Sequence, residues 1–196
     1  MEEKRDCPNI RINGREKYKY DDKYDDSYFK ECPKQKTIFL ECGFKPQDAI
    51  FEIDDGEVED DQSFVLDRVK VDTSCMVKPL VKIEFSSLVV FEAEDEDGDE
   101  HEVEVDLLFK LLRICDGDKE CIQTWRYLKE IGIENSIDEL EVEISESFTV
   151  TYCDKPCSAC CEYIMLVEGK DFEGEFDALR VVKPELSAIA QGQCNY

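Results

Sequence analysis

Strict alternation of apolar and polar residues is the feature that most narrows the fold. Glu139-Leu140-Glu141-Val142-Glu143-Ile144-Ser145 alternates at every step, and Ser147-Phe148-Thr149-Val150-Thr151-Tyr152 keeps the same period. Val81-Lys82-Ile83-Glu84-Phe85 and Glu102-Val103-Glu104-Val105-Asp106-Leu107 repeat it. Successive side chains of a strand point to opposite faces, so this period describes strands with one face buried. Further strands are expected at Thr37–Cys42, Ala49–Ile53, Phe64–Val71, Cys121–Leu128, Cys161–Val167 and Phe176–Ala190, the last broken near Pro184. The turns between them are acidic and carry glycine: Asp54-Asp55-Gly56, Asp97-Gly98-Asp99 and Asp116-Gly117-Asp118. A helix is the rival reading over Leu107, Leu108, Leu111, Leu112 and Cys115. Strand is preferred there because Val103, Val105, Leu107, Phe109 and Leu111 hold one phase. Many short strands joined by turn signals predict an all-β chain, an antiparallel β-sandwich.

Charge divides the chain. Overall it carries 49 Asp and Glu against 24 Lys and Arg, a net of −25 with a single histidine. Residues 1–36 hold nine of the acids and ten of the bases, so residues 37–196 hold 40 acids and 14 bases, a net of −26. The first segment is poor in aliphatic side chains and dense in Tyr18, Tyr20, Tyr24 and Tyr28 among lysines and aspartates. It buries too little to offset its own ordering entropy, so residues 1–36 read as an extended N-terminal arm and residues 37–196 as the sandwich domain. The arm is either a plain tail or a segment that orders on a partner, its tyrosines serving as apolar anchors. A body this acidic is not drawn to a phosphate backbone or an anionic membrane surface, so neither nucleic acid nor membrane insertion is expected. The N-terminus lacks the apolar core of a standard export signal.

Eleven cysteines are the other conspicuous resource: Cys7 and Cys32 in the arm, then Cys42, Cys75, Cys115, Cys121, Cys153, Cys157, Cys160, Cys161 and Cys194 in the body. An odd number leaves at least one thiol that is free, binds a ligand or bonds another molecule. Cys7 and Cys32 sit where local packing cannot protect them, well placed to cross-link a neighbouring chain; the nine body cysteines are candidates for disulfides there. Cys153, Cys157, Cys160 and Cys161 lie within nine residues and form the alternative, a tetrahedral zinc set. The first three also show the spacing with which radical enzymes hold an iron–sulfur cluster, but the motif comes late, between strands, and Ala159 stands where those enzymes carry an aromatic. Cys160 and Cys161 are adjacent at a strand start, so their side chains should point to opposite faces and find different partners.

Other chemistry is sparse. The acidic loop from Ala93 to Asp99 can be aligned to a calcium loop, with Gly98 and Glu104 in register, yet Ala93 falls on the first ligand position and strands flank it. A solvated hairpin tip is the preferred reading. His101 reads as a surface residue and Trp125 as a core aromatic. No catalytic constellation, cofactor motif or phosphate loop is present, so the chain is not expected to be an enzyme or to carry a cofactor.

Several strings together resemble a known group. They are Phe39-Leu40-Glu41-Cys42-Gly43, Val71-Asp72-Thr73-Ser74-Cys75, Pro79-Leu80-Val81-Lys82-Ile83-Glu84-Phe85-Ser86-Ser87, Phe148-Thr149-Val150-Thr151-Tyr152-Cys153 ahead of Cys160-Cys161-Glu162-Tyr163, and Leu186-Ser187-Ala188-Ile189-Ala190. Over nearly all of residues 37–196 the chain resembles an uncharacterised cysteine-rich domain family of spore-forming anaerobic bacteria. More distantly, its layout is similar to the subunits of endospore appendage fibres. That resemblance implies a jelly-roll form of the sandwich, self-assembly, and an arm whose Cys7 and Cys32 lock a neighbouring copy by disulfides. It also implies synthesis in the cytoplasm, with release to the spore or cell surface by lysis of the mother cell, reconciling abundant cysteine with the missing export signal. This arm departs from that group in being long, charged and rich in tyrosine. The function expected is thus a structural, self-assembling surface subunit, with a cysteine-rich zinc- or calcium-binding module as the alternative.

Overall fold

The computed structural model describes residues 37–59, 62–95, 100–134, 140–156 and 159–194. Expectations about Cys7, Cys32, Cys157 and the acidic turn at 96–99 lie outside these residues, as do those about the side chains of His101 and Cys194. Eleven strands follow one another: β1 (Thr37–Cys42), β2 (Ala49–Ile50), β3 (Ile53–Asp54), β4 (Glu57–Val58), β5 (Ser63–Asp72), β6 (Met76–Asp95), β7 (Glu100–Cys115), β8 (Asp118–Glu134), β9 (Leu140–Asp154), β10 (Cys160–Glu173) and β11 (Glu175–Cys194). No helix occurs among the described residues.

Beside a separate two-stranded β3–β4 sheet, the strands form two large antiparallel sheets. One has the order β1-β11-β6-β9, with β2 added alongside β11, and the other has the order β5-β10-β7-β8. Apart from the short β2–β4 segment, the chain crosses from one sheet to the other at each connection except the β7–β8 hairpin. This is the strand order of a jelly roll. Inward-facing residues fill the space between the sheets. Phe85, Phe91, Phe109, Leu107, Leu111, Tyr163, Met165 and Leu179 are all at or below 1 % exposure. Phe109 stacks on Phe148 with ring centroids 4.0 Å apart, joining the sheets through aromatic area. Strand β7 settles the helix rival: Val103, Val105, Leu107, Phe109 and Leu111 are all fully buried on one face.

Three expectations need correcting. The stretch Ala49–Ile53 is not one strand. β2 pairs with β11 and ends, because the Gln62 side chain takes both the N–H and the C=O of Glu52 (2.7 and 2.9 Å) and turns the chain toward the small β3–β4 hairpin. The strand through Pro184 is not broken but bulged between Val182 and Glu185. Lys183 takes a φ of 52° and donates its N–H to Asp48 Oδ1 at 2.9 Å, while Pro184 has no donor to satisfy. Trp125 is only half-buried, because β8 is an edge strand and the indole packs against the core from its rim.

Asp67 ties the two sheets together. Its carboxylate is buried and accepts N–H groups from Lys45 (3.1 Å), Arg68 (2.7 Å) and Leu186 (3.1 Å), reaching from β5 to β11 and to the chain after β1. A Cβ at Gly43 would overlap this carboxylate. Gly43→Ala should therefore lower stability by about 2 kcal/mol or more, since it crowds a packed site and displaces an acceptor from its donors. Urea unfolding checks this, and an unchanged midpoint would remove Asp67 from this role.

Candidate functional site: a cysteine-bearing end

The jelly-roll order gathers strand ends that are distant in sequence. At one end of the sandwich β1, β6, β8 and β10 begin, and β5, β7, β9 and β11 finish, as the ladders Thr37 to Gly192, Met76 to Cys194, Cys115 to Asp118 and Cys160 to Asp72 require. Cys75, Cys115, Cys121, Cys153, Cys160, Cys161 and Cys194 all fall on or next to these ends. Of the described cysteines only Cys42 lies further along, opposite Ser187 on β11.

Two of them are joined. Cys115 and Cys161 oppose each other directly across β7 and β10, with Cα atoms 4.5 Å apart, and form a disulfide. That spacing is the one found at the closer of the two alternating pair types in an antiparallel ladder. Cys161 is buried and its neighbour Cys160 is exposed, the opposite-face arrangement expected of adjacent strand residues. While the bond stands, Cys161 has no thiolate to give a metal, so the four-cysteine zinc set cannot form as drawn from the sequence. Cys42, Cys121, Cys153 and Cys160 are exposed thiols, and Cys75 is exposed as well. No group of three or more Cys, His, Asp or Glu placed to hold a metal occurs among the described residues.

Beneath the disulfide a polar network runs from the buried Tyr163 and Asp154 through the half-buried Arg113 to the exposed Glu120, closing the end of the core. Arg113 Nη1 donates to both oxygens of Asp154 at 2.8 and 2.9 Å, and its Nη2 reaches Glu120 at 2.8 Å. The Tyr163 hydroxyl donates to Asp154 Oδ2 at 2.8 Å. The hydrogen bonds to Asp154 hold the Arg113 guanidinium more firmly protonated than usual. Burial, and next the bond to Asp154, push the Tyr163 hydroxyl well above the ordinary tyrosine range. Sequence reasoning missed this network, although Arg113 and Cys115 continue the inward phase of Leu107, Phe109 and Leu111. A charged residue on a core phase needs a buried partner, and Asp154 supplies it.

The Tyr163 shift has a sign. In the folded chain the hydroxyl keeps its proton where the unfolded chain has lost it. Stability is therefore full below the ordinary tyrosine pKa of about 10 and falls as pH rises past it. The urea midpoint should drop between pH 9 and pH 11, and Tyr163→Phe should flatten that drop. An equally steep drop in the variant would place the titration elsewhere.

The opposite end is acidic. Across β10, β7 and β8 the ladder aligns Glu173, Glu104 and Glu130, and across β11, β6 and β9 it aligns Glu175, Glu94 and Glu141, with Glu92 opposite Glu143. Like charges placed directly opposite repel. Burial first, then Glu130 and neighbouring carboxylates, raise the Glu104 pKa.

Solved structures similar to this chain include two titled as infectious bursal disease virus. The Gx strain structure shares 7 % identity at a TM-score of 0.23, covering 81 % of this chain and 41 % of that one. The Gt strain structure shares 9 % at 0.21, covering 80 % and 42 %. The chain thus spans less than half of either, and superpositions this loose support no shared function. No curated protein matches. A family described as a domain of unknown function, DUF4489, matches residues 36–191, nearly the whole of the body, and the chain belongs to that family.

Proposed function

We propose that this chain is a structural subunit that assembles with copies of itself into a fibre or appendage at a spore or cell surface. Its N-terminal arm and disulfides between chains hold the assembly together. The observation that carries the reading is the set of exposed thiols, Cys121, Cys153 and Cys160, on strand ends gathered at one end of the sandwich. A surface of that kind suits covalent bonding to cysteines of another copy, with Cys7 and Cys32 of the arm as donors of the link. Persistent disulfides belong to oxidising surroundings, so the assembly stands outside the reducing compartment of the cell that makes it. The reading contains no catalytic step and no cofactor.

Non-reducing electrophoresis of native material tests it. A ladder, or material that fails to enter the gel until a reductant is added, is the expected result. A monomer carrying zinc by elemental analysis would contradict it in favour of a metal-binding module. Salt supplies a second check. A body of net −26 repels its copies at low ionic strength, so added sodium chloride should speed assembly through screening. Slower assembly in salt would mean that attraction between arm and body, rather than repulsion between bodies, sets the rate.

A further inference from the structure

Four of the large apolar side chains that remain exposed collect at one corner of the body, on the outer face of the β1-β11-β6 sheet. Ile38 is 62 % and Leu40 65 % exposed on β1, and Val77 is 41 % and Leu80 38 % on β6. Register explains the cluster. Ile38 and Leu80 oppose Gln191 from its two sides and so stand in one row across β1, β11 and β6, and Val77 opposes Gln193. Leu80 alternates with the inward Val81, which places this row on the outer face of the sheet. Val77, Leu80, Gln191 and Gly192 help line an open depression of about 390 Å³ there. β1 is also the edge strand of its sheet.

We propose that this corner is the face through which two copies of the chain meet. Charge argues for a second copy as the occupant. Charged groups around the corner are few and of both signs, Glu41, Lys78, Lys82 and Glu84, whereas the opposed glutamate rows stand at the far end of both sheets. Two bodies of net −26 approach with least repulsion when their acidic ends point apart, which brings the apolar corners together. Burial of the corner then offsets the repulsion that remains. Four side chains fall short of the area of a lasting interface, about 800 Å² per partner, so the pairing is weak and reversible by itself. It deepens the self-assembly reading and rests on it only for the disulfides that would make such pairs permanent.

Sedimentation of the full-length chain carrying Cys7→Ser and Cys32→Ser, with its remaining free thiols alkylated and the Cys115–Cys161 bond left intact, tests the corner apart from any disulfide between chains. The expected result is a monomer–dimer equilibrium that strengthens with sodium chloride. Ile38→Glu and Leu80→Glu should each weaken it at least tenfold. Leu128→Glu, at an exposed apolar position of the other sheet (39 % exposed), should leave it unchanged. Amide exchange in β1 and at residues 76–80 should slow as concentration rises. A monomer at every concentration and salt, an equilibrium indifferent to both corner variants, or equal weakening by Leu128→Glu overturns the proposal. So does slowing of exchange centred on residues 1–36, which would make the arm the occupant. Failure here leaves the disulfide linkage standing, because its arm thiols are absent from the test protein. Failure of that linkage in turn leaves this equilibrium in place.

Discussion

Changing both Cys7 and Cys32 to Ser is expected to leave the body folded while its assemblies come apart in denaturant. A disulfide between chains turns a reversible contact into one that survives loss of packing until a reductant breaks it. Without those bonds, resistance to denaturant should fall to that of non-covalent contacts, even if copies still associate in dilute buffer. The wild type should lose its resistance in the same way once reductant is added, and in the variant reductant should remove only the stability that the Cys115–Cys161 bond gives the body. Persistence of the assembly in denaturant after both substitutions would show that body thiols make the links.

The body's own disulfide predicts the second large effect. Cys115 and Cys161 are 46 residues apart, and closing a loop of that length limits the unfolded chain by about 4 kcal/mol in the chain-entropy account. Cys161→Ser should cost most of that and also place a hydroxyl in a buried site. Cys160→Ser, one residue away on the exposed face, should cost little. Urea unfolding of the two variants separates them. Equal losses would mean that Cys160 shares the structural role, and equal tolerance would mean that the pair contributes nothing to stability.

The strands were legible because their chemistry is local. Alternation placed β1, β5 and most of β7 and β9 close to their observed positions, and the Asp116-Gly117 turn takes the positive φ angles, 53° and 91°, that a tight hairpin needs. Pairing was not legible. β1 lies against β11 through Thr37 and Gly192, far apart in sequence, and alternation is silent on which strands become neighbours. The jelly-roll form came from family resemblance, and the strand order bears it out. The same limit hid the full extent of the thiol-bearing end: Cys75 and Cys121 look remote from the Cys153–Cys161 cluster until the topology brings their strand ends together. Asp67 and Gly43 were hidden for a related reason, since a carboxylate gathering N–H groups from three segments leaves no periodic trace.

Disulfide mapping by mass spectrometry of the oxidised, denaturant-resistant assembly tests the central claim most directly. The account predicts a peptide containing Cys7 or Cys32 bonded to a body peptide, with the body end at Cys121, Cys153 or Cys160, alongside the Cys115–Cys161 pair. Mixing isotopically light and heavy chains before oxidation should give crossed light–heavy peptides, placing the bond between copies. Finding Cys7 and Cys32 both as free thiols in an assembly that still resists denaturant would contradict the account.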